Sequence, residues 1–466
     1  MRTFYLLMAL LFCKISFSQD IKKKIDDAMN KLAVDEQFKH SILSMYLVDG
    51  KTGKVLYDKN SEVGLAPASC QKIVTSVSAF EILGKDFTYQ TEFGYNGVVS
   101  GDTLQGNLYI VGNGDPTFGS WRWKQSGEEY VFQKLSNEIK KLNIKLIRHF
   151  IIDNTKWGTQ GIPDGWVWED IGQYYGAGCG AFNWNENQYN IVLRPGKKVG
   201  DSVAVLSEPP YDLFKIITEL TTAAKGTGDQ VYVYSSPYSF ISILRGTAPL
   251  GIDSLTVAAA GDAEILFQKK IVSRLYKSGV LRPGFLANGI DYFPIDGFDE
   301  KMEKSIYSFI SPTFDSINYW FLKKSINLYG EAFVKTIAYQ KTKVGSTDSG
   351  VNVIRDFWSD KGIEKSSLKI IDGSGLSPAN RLTTNALVTV LQYAKNRPWF
   401  SSFYNALPEM NGIKMKDGYI GGVRSYTGYV KSASGAEYSF AFIVNNFDGN
   451  PATVREKMWR VLDLLK

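Results

Sequence analysis

The chain has 466 residues, 44% of them hydrophobic and 21% charged, which allows two or three domains with a large core and excludes a disordered or low-complexity protein. The net charge of +6 is spread along the chain, so no basic stripe marks a nucleic-acid partner. Two histidines (His40 and His149) and three cysteines leave no material for a His-rich metal centre or a disulfide framework, and no cofactor is expected.

Residues 1–18 read as an export signal. Arg2 is the charged start, Phe4 to Phe12 the apolar run and Ser16-Phe17-Ser18 a small-x-small cleavage site, which implies a periplasmic mature protein. The apolar run is too short to span a bilayer. Cys70 and Cys179 remain after cleavage, and their pairing is left open. Residues 21 to 32 predict a surface helix. Ser41 to Val48 and Lys54 to Tyr57 predict a hairpin around Asp49-Gly50-Lys51-Thr52-Gly53. Its Lys-Thr-Gly triplet is read as turn chemistry.

Pro67-Ala68-Ser69-Cys70-Gln71-Lys72 comes next. Ser69 and Lys72 are three apart at a helix start, so hydroxyl and amine share one face, the S-x-x-K arrangement of histidine-free serine acyltransferases. For Lys72 to act as base it must lose its proton, which burial and a second cation both favour. The helix is expected to continue amphipathically through Ile73, Val77 and Phe80 and to stop at Gly84.

Residues 87–256 alternate short β-prone runs with turns and carry one helix, Glu128 to Leu142, so they are expected to form an inserted, mostly β region. Helices return with Ala258 to Ser278, Phe314 to Tyr329 and Thr384 to Lys395; strands follow over Lys414 to Val430 and Glu437 to Asn446, and a helix closes the chain over Thr453 to Lys466. This order predicts one α/β domain made of residues 19–86 and 257–466, whose two parts meet around the insert.

Several motifs together resemble one family. Pro67-Ala68-Ser69 with Lys72, Gly112-Asn113-Gly114-Asp115-Pro116-Thr117, Pro163-Asp164-Gly165-Trp166, Tyr174-Tyr175-Gly176-Ala177, and Asp372-Gly373-Ser374-Gly375-Leu376-Ser377 with Asn380 are similar to the D-Ala-D-Ala carboxypeptidase/endopeptidase family, the class C low-molecular-mass penicillin-binding proteins. The resemblance covers essentially the whole mature chain. It implies a serine β-lactamase/DD-peptidase-like transpeptidase domain, an antiparallel sheet flanked by helices and interrupted by the insert. It also implies peptidoglycan stem peptides as substrate and β-lactams as acylating inhibitors, and admits a homo-oligomer.

Of two S-x-N triplets, Ser316-Ile317-Asn318 and Ser325-Ile326-Asn327, spacing alone chooses neither. The resemblance selects Ser325 and Asn327, because Ser311-Pro312 precedes them and Leu328-Tyr329-Gly330-Glu331 follows. The third motif is matched to Lys416-Asp417-Gly418-Tyr419, leading to Arg424. The resemblance thus implies Ser69, Lys72, Ser325, Asn327 and Lys416 as catalytic residues and Asp417, Gly418, Tyr419 and Arg424 as substrate-binding ones. The family has Thr or Ser where this chain has Asp417, and an aspartate there repels a substrate carboxylate unless Arg424 or another cation offsets it. Asp372-Gly373-Ser374-Gly375 reads as a turn bracing the site. The alternative reading is a catalytically weakened peptidoglycan- or partner-binding protein on the same fold.

Overall fold

The computed structural model describes residues 21–207, 215–239, 241–282 and 301–466. The export signal expected at residues 1–18 lies outside them. The chain forms two compact units: residues 1–82, 318–325 and 351–466 make the first, and residues 83–317 and 326–350 the second.

The first unit is built on a six-stranded antiparallel sheet. Its order is Glu409–Met410, Ile413–Ile420, Val423–Lys431, Glu437–Asn445, Ile42–Asp49, Val55–Lys59. The expected meeting of the chain's two ends is the pairing of Ile42–Asp49 with Glu437–Asn445. Period-2 patterning drives it: Met45, Leu47, Phe440, Phe442 and Val444 bury one face against Met458 and Val461 of the closing helix, Pro451–Leu462. The Lys51-Thr52-Gly53 triplet is a hairpin tip, with Asp49 Oδ1 accepting from the Lys51 and Thr52 main-chain N–H groups at 3.0 and 2.7 Å.

The helix after Ser69 differs from expectation. A 3₁₀ turn, Ala68–Gln71, carries the serine, and the α-helix proper is Lys72–Ile82. It is buried on all sides from Lys72 to Phe80 and not along one stripe. Its polar residues are satisfied internally. Thr75 Oγ1 donates to Gly373 O at 2.7 Å, Ser76 Oγ to Asn318 Oδ1 at 2.7 Å, and Ser78 Oγ accepts from Trp358 Nε1 at 2.9 Å. A hydroxyl is easily misread as a solvent-facing position when its partner is a distant segment.

The second unit mixes strands with helices, among them Glu128–Lys141 and Asn327–Thr342. Lys304–Ile310, Gln90–Tyr95, Leu108–Val111 and Phe150–Asp153 form one sheet, and Leu255–Ala260, Gln188–Arg194 and Ala204–Ser207 another. A cluster including Phe93, Ile110, Phe118, Leu135, Trp184 and Phe267 fills it. The unit runs past the residue-256 boundary drawn from the sequence. The expected helix over Ala258 to Ser278 begins only at Ala263, because Leu255–Ala260 pairs with Gln188–Arg194 and Asp262 caps the helix, accepting from Ile265 N at 3.0 Å. The helix expected over Phe314 to Tyr329 is also interrupted. It ends at Lys323 and a new one, Asn327–Thr342, follows Ser325, whose φ of 56° no helix accommodates. No helix among the described residues is long and apolar enough to cross a membrane.

Candidate active site

Ser69 sits where two backbone constraints meet. Ala68, just before it, has φ 46°, a left-handed conformation unusual for a residue with a Cβ. The segment is held from several sides. Asn445 accepts from Ala66 N at 2.9 Å and donates to Ala66 O at 3.0 Å, and Ser425 Oγ donates to Pro67 O at 2.5 Å. The surrounding sheet thereby over-determines the turn that presents the serine.

Lys72 Nζ lies 2.9 Å from Ser69 Oγ and donates to the Ser374 carbonyl at 2.7 Å. The lysine is fully buried and its Nζ lies 5.8 Å from the Phe321 ring centroid. The Asp372-Gly373-Ser374-Gly375 turn does more than brace. Asp372, also fully buried, accepts through Oδ1 from Gln71 Nε2 at 2.9 Å, Gly375 N at 2.7 Å and Asn380 Nδ2 at 3.0 Å, and through Oδ2 from Ser377 N at 2.6 Å. Gly375 has φ 83°, and a Cβ there would lie 2.0 Å from the Ala68 carbonyl oxygen. The loop therefore fixes both the serine turn and the lysine nitrogen. The Ser374 contact had no signal in the sequence, since it is made by a main-chain carbonyl.

The Lys416-Asp417-Gly418-Tyr419 segment lies on the Ile413–Ile420 strand, in register with Thr427, Tyr426, Ser425 and Arg424. Its other neighbour, Glu409–Met410, pairs only with Ile413 and Lys414, so the edge beyond Lys414 has no strand partner among the described residues. An extended peptide can add to such an edge. Gly418 has a further role. A Cβ there would lie 2.6 Å from Pro67 O and 2.9 Å from Ser69 N, so the missing side chain lets the serine turn dock on this strand.

Lys416 is buried, and its Nζ donates to Asp417 Oδ1 at 2.9 Å and to the Asp417 carbonyl at 2.8 Å. Burial pushes the Asp417 carboxyl up, but the opposing pull of Lys416, with Arg424 adding to it, leaves it below the usual carboxylate range. Asp417 thus holds the ammonium of Lys416, which the resemblance counts among the catalytic residues. Arg424 stacks near the exposed Tyr419 ring, 5.4 Å from its centroid, and donates from Nε to Tyr426 Oη at 3.1 Å.

Ser325 is in the first unit, partly exposed, with its left-handed φ of 56°. Asn327 is in the second unit, buried at the start of the Asn327–Thr342 helix, and donates from Nδ2 to Tyr175 O at 2.8 Å. Cys70 and Cys179 are both free and buried. Burial pushes the Cys70 thiol up to about 11 and its Sγ donates to Lys416 O at 3.2 Å, so it packs as a neutral group. Among the described residues no group of three or more His, Cys, Asp or Glu side chains is placed to hold a metal ion.

The family described as D-Ala-D-Ala carboxypeptidase 3 (S13) matches residues 25–412. The chain belongs to this family. It is accordingly a serine-type D-Ala-D-Ala carboxypeptidase of the penicillin-binding class, as the motifs implied. A D-alanyl-D-alanine carboxypeptidase of Actinomadura sp. (strain R39) is 24% identical over 462 residues, 92% of this chain and 82% of that one. A penicillin-sensitive carboxypeptidase A of Dictyostelium discoideum is 27% identical over 399 residues, 80% of this chain and 73% of that one. The crystal structure of penicillin binding protein 4 (dacB) from Haemophilus influenzae superposes with a TM-score of 0.77 at 18% identity, over 96% of this chain and 99% of that one. The expected fold class holds throughout the carboxypeptidase.

Proposed function

We propose that the protein is an exported enzyme that cleaves D-alanyl bonds of peptidoglycan stem peptides through an acyl-enzyme on Ser69. The observation that carries this reading is the 2.9 Å contact between Lys72 Nζ and Ser69 Oγ in a turn locked by the Asp372 loop. Neutral Lys72 takes the hydroxyl proton as Oγ attacks the D-alanyl carbonyl. The oxyanion is stabilised by main-chain N–H groups of Ser69 and Tyr419, each such donor being worth about 3 kcal/mol in other enzymes. The close approach of Gly418 to Ser69 N supports that pairing. Ser325 passes a proton to the leaving D-alanine amine as the C–N bond breaks. Water then attacks the ester, releasing the shortened peptide and restoring the Ser69 hydroxyl. β-Lactams open on Ser69 by the same attack.

Fluorescent penicillin tests this directly. Intact protein takes up label with about 1:1 stoichiometry and Ser69→Ala takes up none; an unlabelled wild type sinks the enzyme reading. The Lys416–Asp417 ion pair favours a second reading on the same fold, a weakened enzyme that binds peptidoglycan. Acylation at a normal rate with turnover of neither a pentapeptide nor a cross-linked dimer is the signature of that case.

A further inference from the structure

We infer that the second unit carries a binding site for N-acetylhexosamine units of a glycan strand. The inference rests on the proposed peptidoglycan substrate, whose stem peptides are borne on such strands. The site is a cavity of about 460 Å³ within the second unit, lined by Trp121, Trp184, Asn185, Gln188, Asn190 and Lys270 among others. That volume is in the range of small-ligand sites. None of these residues takes part in the acyl-transfer chemistry.

The lining has a particular chemistry. Trp121 is 56% exposed, an unusual cost for an indole, and offers a flat apolar face. Asn185, Gln188 and Asn190 are amides, which both donate and accept. Trp184, fully buried in the cavity wall, has an indole Nε1 with no hydrogen-bond partner among the described residues. A sugar ring has a C–H face that stacks on an aromatic plane and a rim of hydroxyls that both donate and accept. An acetamido group both donates and accepts, as do the Asn185, Gln188 and Asn190 amides of the lining. A nucleotide or other polyanion needs several cations, and Lys270 is the one cation among the lining residues. A lipid chain needs an apolar lining without amides.

The site is also pre-organised. Asn185, Glu186 and Asn187 have φ of 54°, 54° and 51°, three successive left-handed residues that a chain adopts only when held. The buried Glu186 carboxylate holds them, accepting from Ser120 Oγ at 2.8 Å, Tyr329 Oη at 2.7 Å and Arg122 Nε at 2.7 Å. The same Arg122 guanidinium lies 5.2 Å from the Trp121 ring centroid and so positions the exposed platform. Phe118 and Phe267 pack edge-on against Trp184, with centroids at 5.3 and 5.0 Å.

Tryptophan fluorescence titration of the full chain with tri-N-acetylchitotriose and with cellotriose tests the site. Wild type is expected to bind the chitotriose and to bind cellotriose at least about tenfold more weakly; Trp121→Ala is expected to lose about tenfold in chitotriose affinity. Penicillin labelling of Trp121→Ala at the wild-type rate shows that the variant is folded. Absence of chitotriose binding, equal binding by Trp121→Ala, or equal binding of the two sugars overturns the inference. Failure of wild type to take penicillin sinks the acyl-enzyme reading and leaves the saccharide titration to be judged separately.

Discussion

Replacing Asp417 by Thr asks which charge governs the carboxylate end of the substrate. Lys416 has 1% of its side chain exposed and is paired with Asp417, 33% exposed, at 2.9 Å. Two unit charges about 4 Å apart interact by about 4 kcal/mol at an effective dielectric of 20. Solvent reaches the carboxylate, so a working figure is about 1–2 kcal/mol, a factor of roughly 5–30 in an equilibrium. In Asp417→Thr the ammonium keeps its main-chain acceptor, the residue-417 carbonyl at 2.8 Å, and is freed to meet an incoming anion. The assay compares kcat/KM for an acylated D-Ala-D-Ala with a free terminal carboxylate and for its carboxamide. The free acid is expected to gain about tenfold in the variant and the amide to change by less than about twofold. A parallel gain on both substrates, or none on the free acid, refutes the claim that Asp417 masks Lys416. Leaving a buried ammonium short of its carboxylate costs up to about 3 kcal/mol, so melting curves accompany the kinetics.

Other outcomes follow from the same geometry. Gly375→Ala places a Cβ 2.0 Å from Ala68 O at φ 83°, so it is expected to destabilise the protein by about 2–4 kcal/mol or displace the serine turn. Penicillin acylation slowed by at least tenfold in the folded fraction, about 1.4 kcal/mol, is the check, and an unchanged rate with unchanged melting refutes it. Cys70 is expected to resist iodoacetamide at pH 8 in native protein and to react only after unfolding, read by mass spectrometry. Glu264 is raised to about 7, mainly by burial and then by Asp262. A carboxyl raised on folding is held protonated more tightly by the native state, so its stabilisation is present below about pH 4.5 and is lost as pH rises toward 7. Glu264→Gln, which keeps an acceptor for Asn154 Nδ2, is expected to melt higher than wild type at pH 8, by on the order of 2 kcal/mol, and alike at pH 4.5. An equal difference at both pH values contradicts the assignment.

The sheet of the first unit was legible in the sequence because one of its faces is buried and alternation records that burial strand by strand. The S-x-x-K pair was legible because i and i+3 contact needs only a helical turn. What escaped was set by partners distant in sequence. The Leu255–Ala260 strand has three alanines and no alternation of its own, and it is a strand because Gln188–Arg194 lies beside it. The break at Ser325 follows an apolar pattern that continues on both sides. The all-round burial of the Lys72–Ile82 helix is hidden by hydroxyls whose acceptors come from residues 318 and 373.

The same distinction explains the third motif. Sequence reading placed Asp417 opposite a substrate carboxylate and inferred repulsion. The geometry moves the effect one step back, since the aspartate first neutralises Lys416, three residues along from the edge position at Tyr419. A threonine at 417 would leave the lysine's charge to the substrate. With aspartate, a positive charge at the exposed Tyr419 comes from Arg424, 5.4 Å from the Tyr419 ring centroid and donating to Tyr426 Oη. Substrates that end in a free carboxylate at that point are therefore expected to be recognised by Arg424 or poorly. Substrates whose D-alanyl bond is followed by an amine carbon that bears no carboxylate are expected to lose nothing by the substitution. The ion pair is therefore expected to bias the proposed enzyme toward D-alanyl bonds with no carboxylate at that point, a bias read by comparing a pentapeptide with a dimer cross-linked through a side-chain amine whose carbon bears no carboxylate, in wild type and Asp417→Thr.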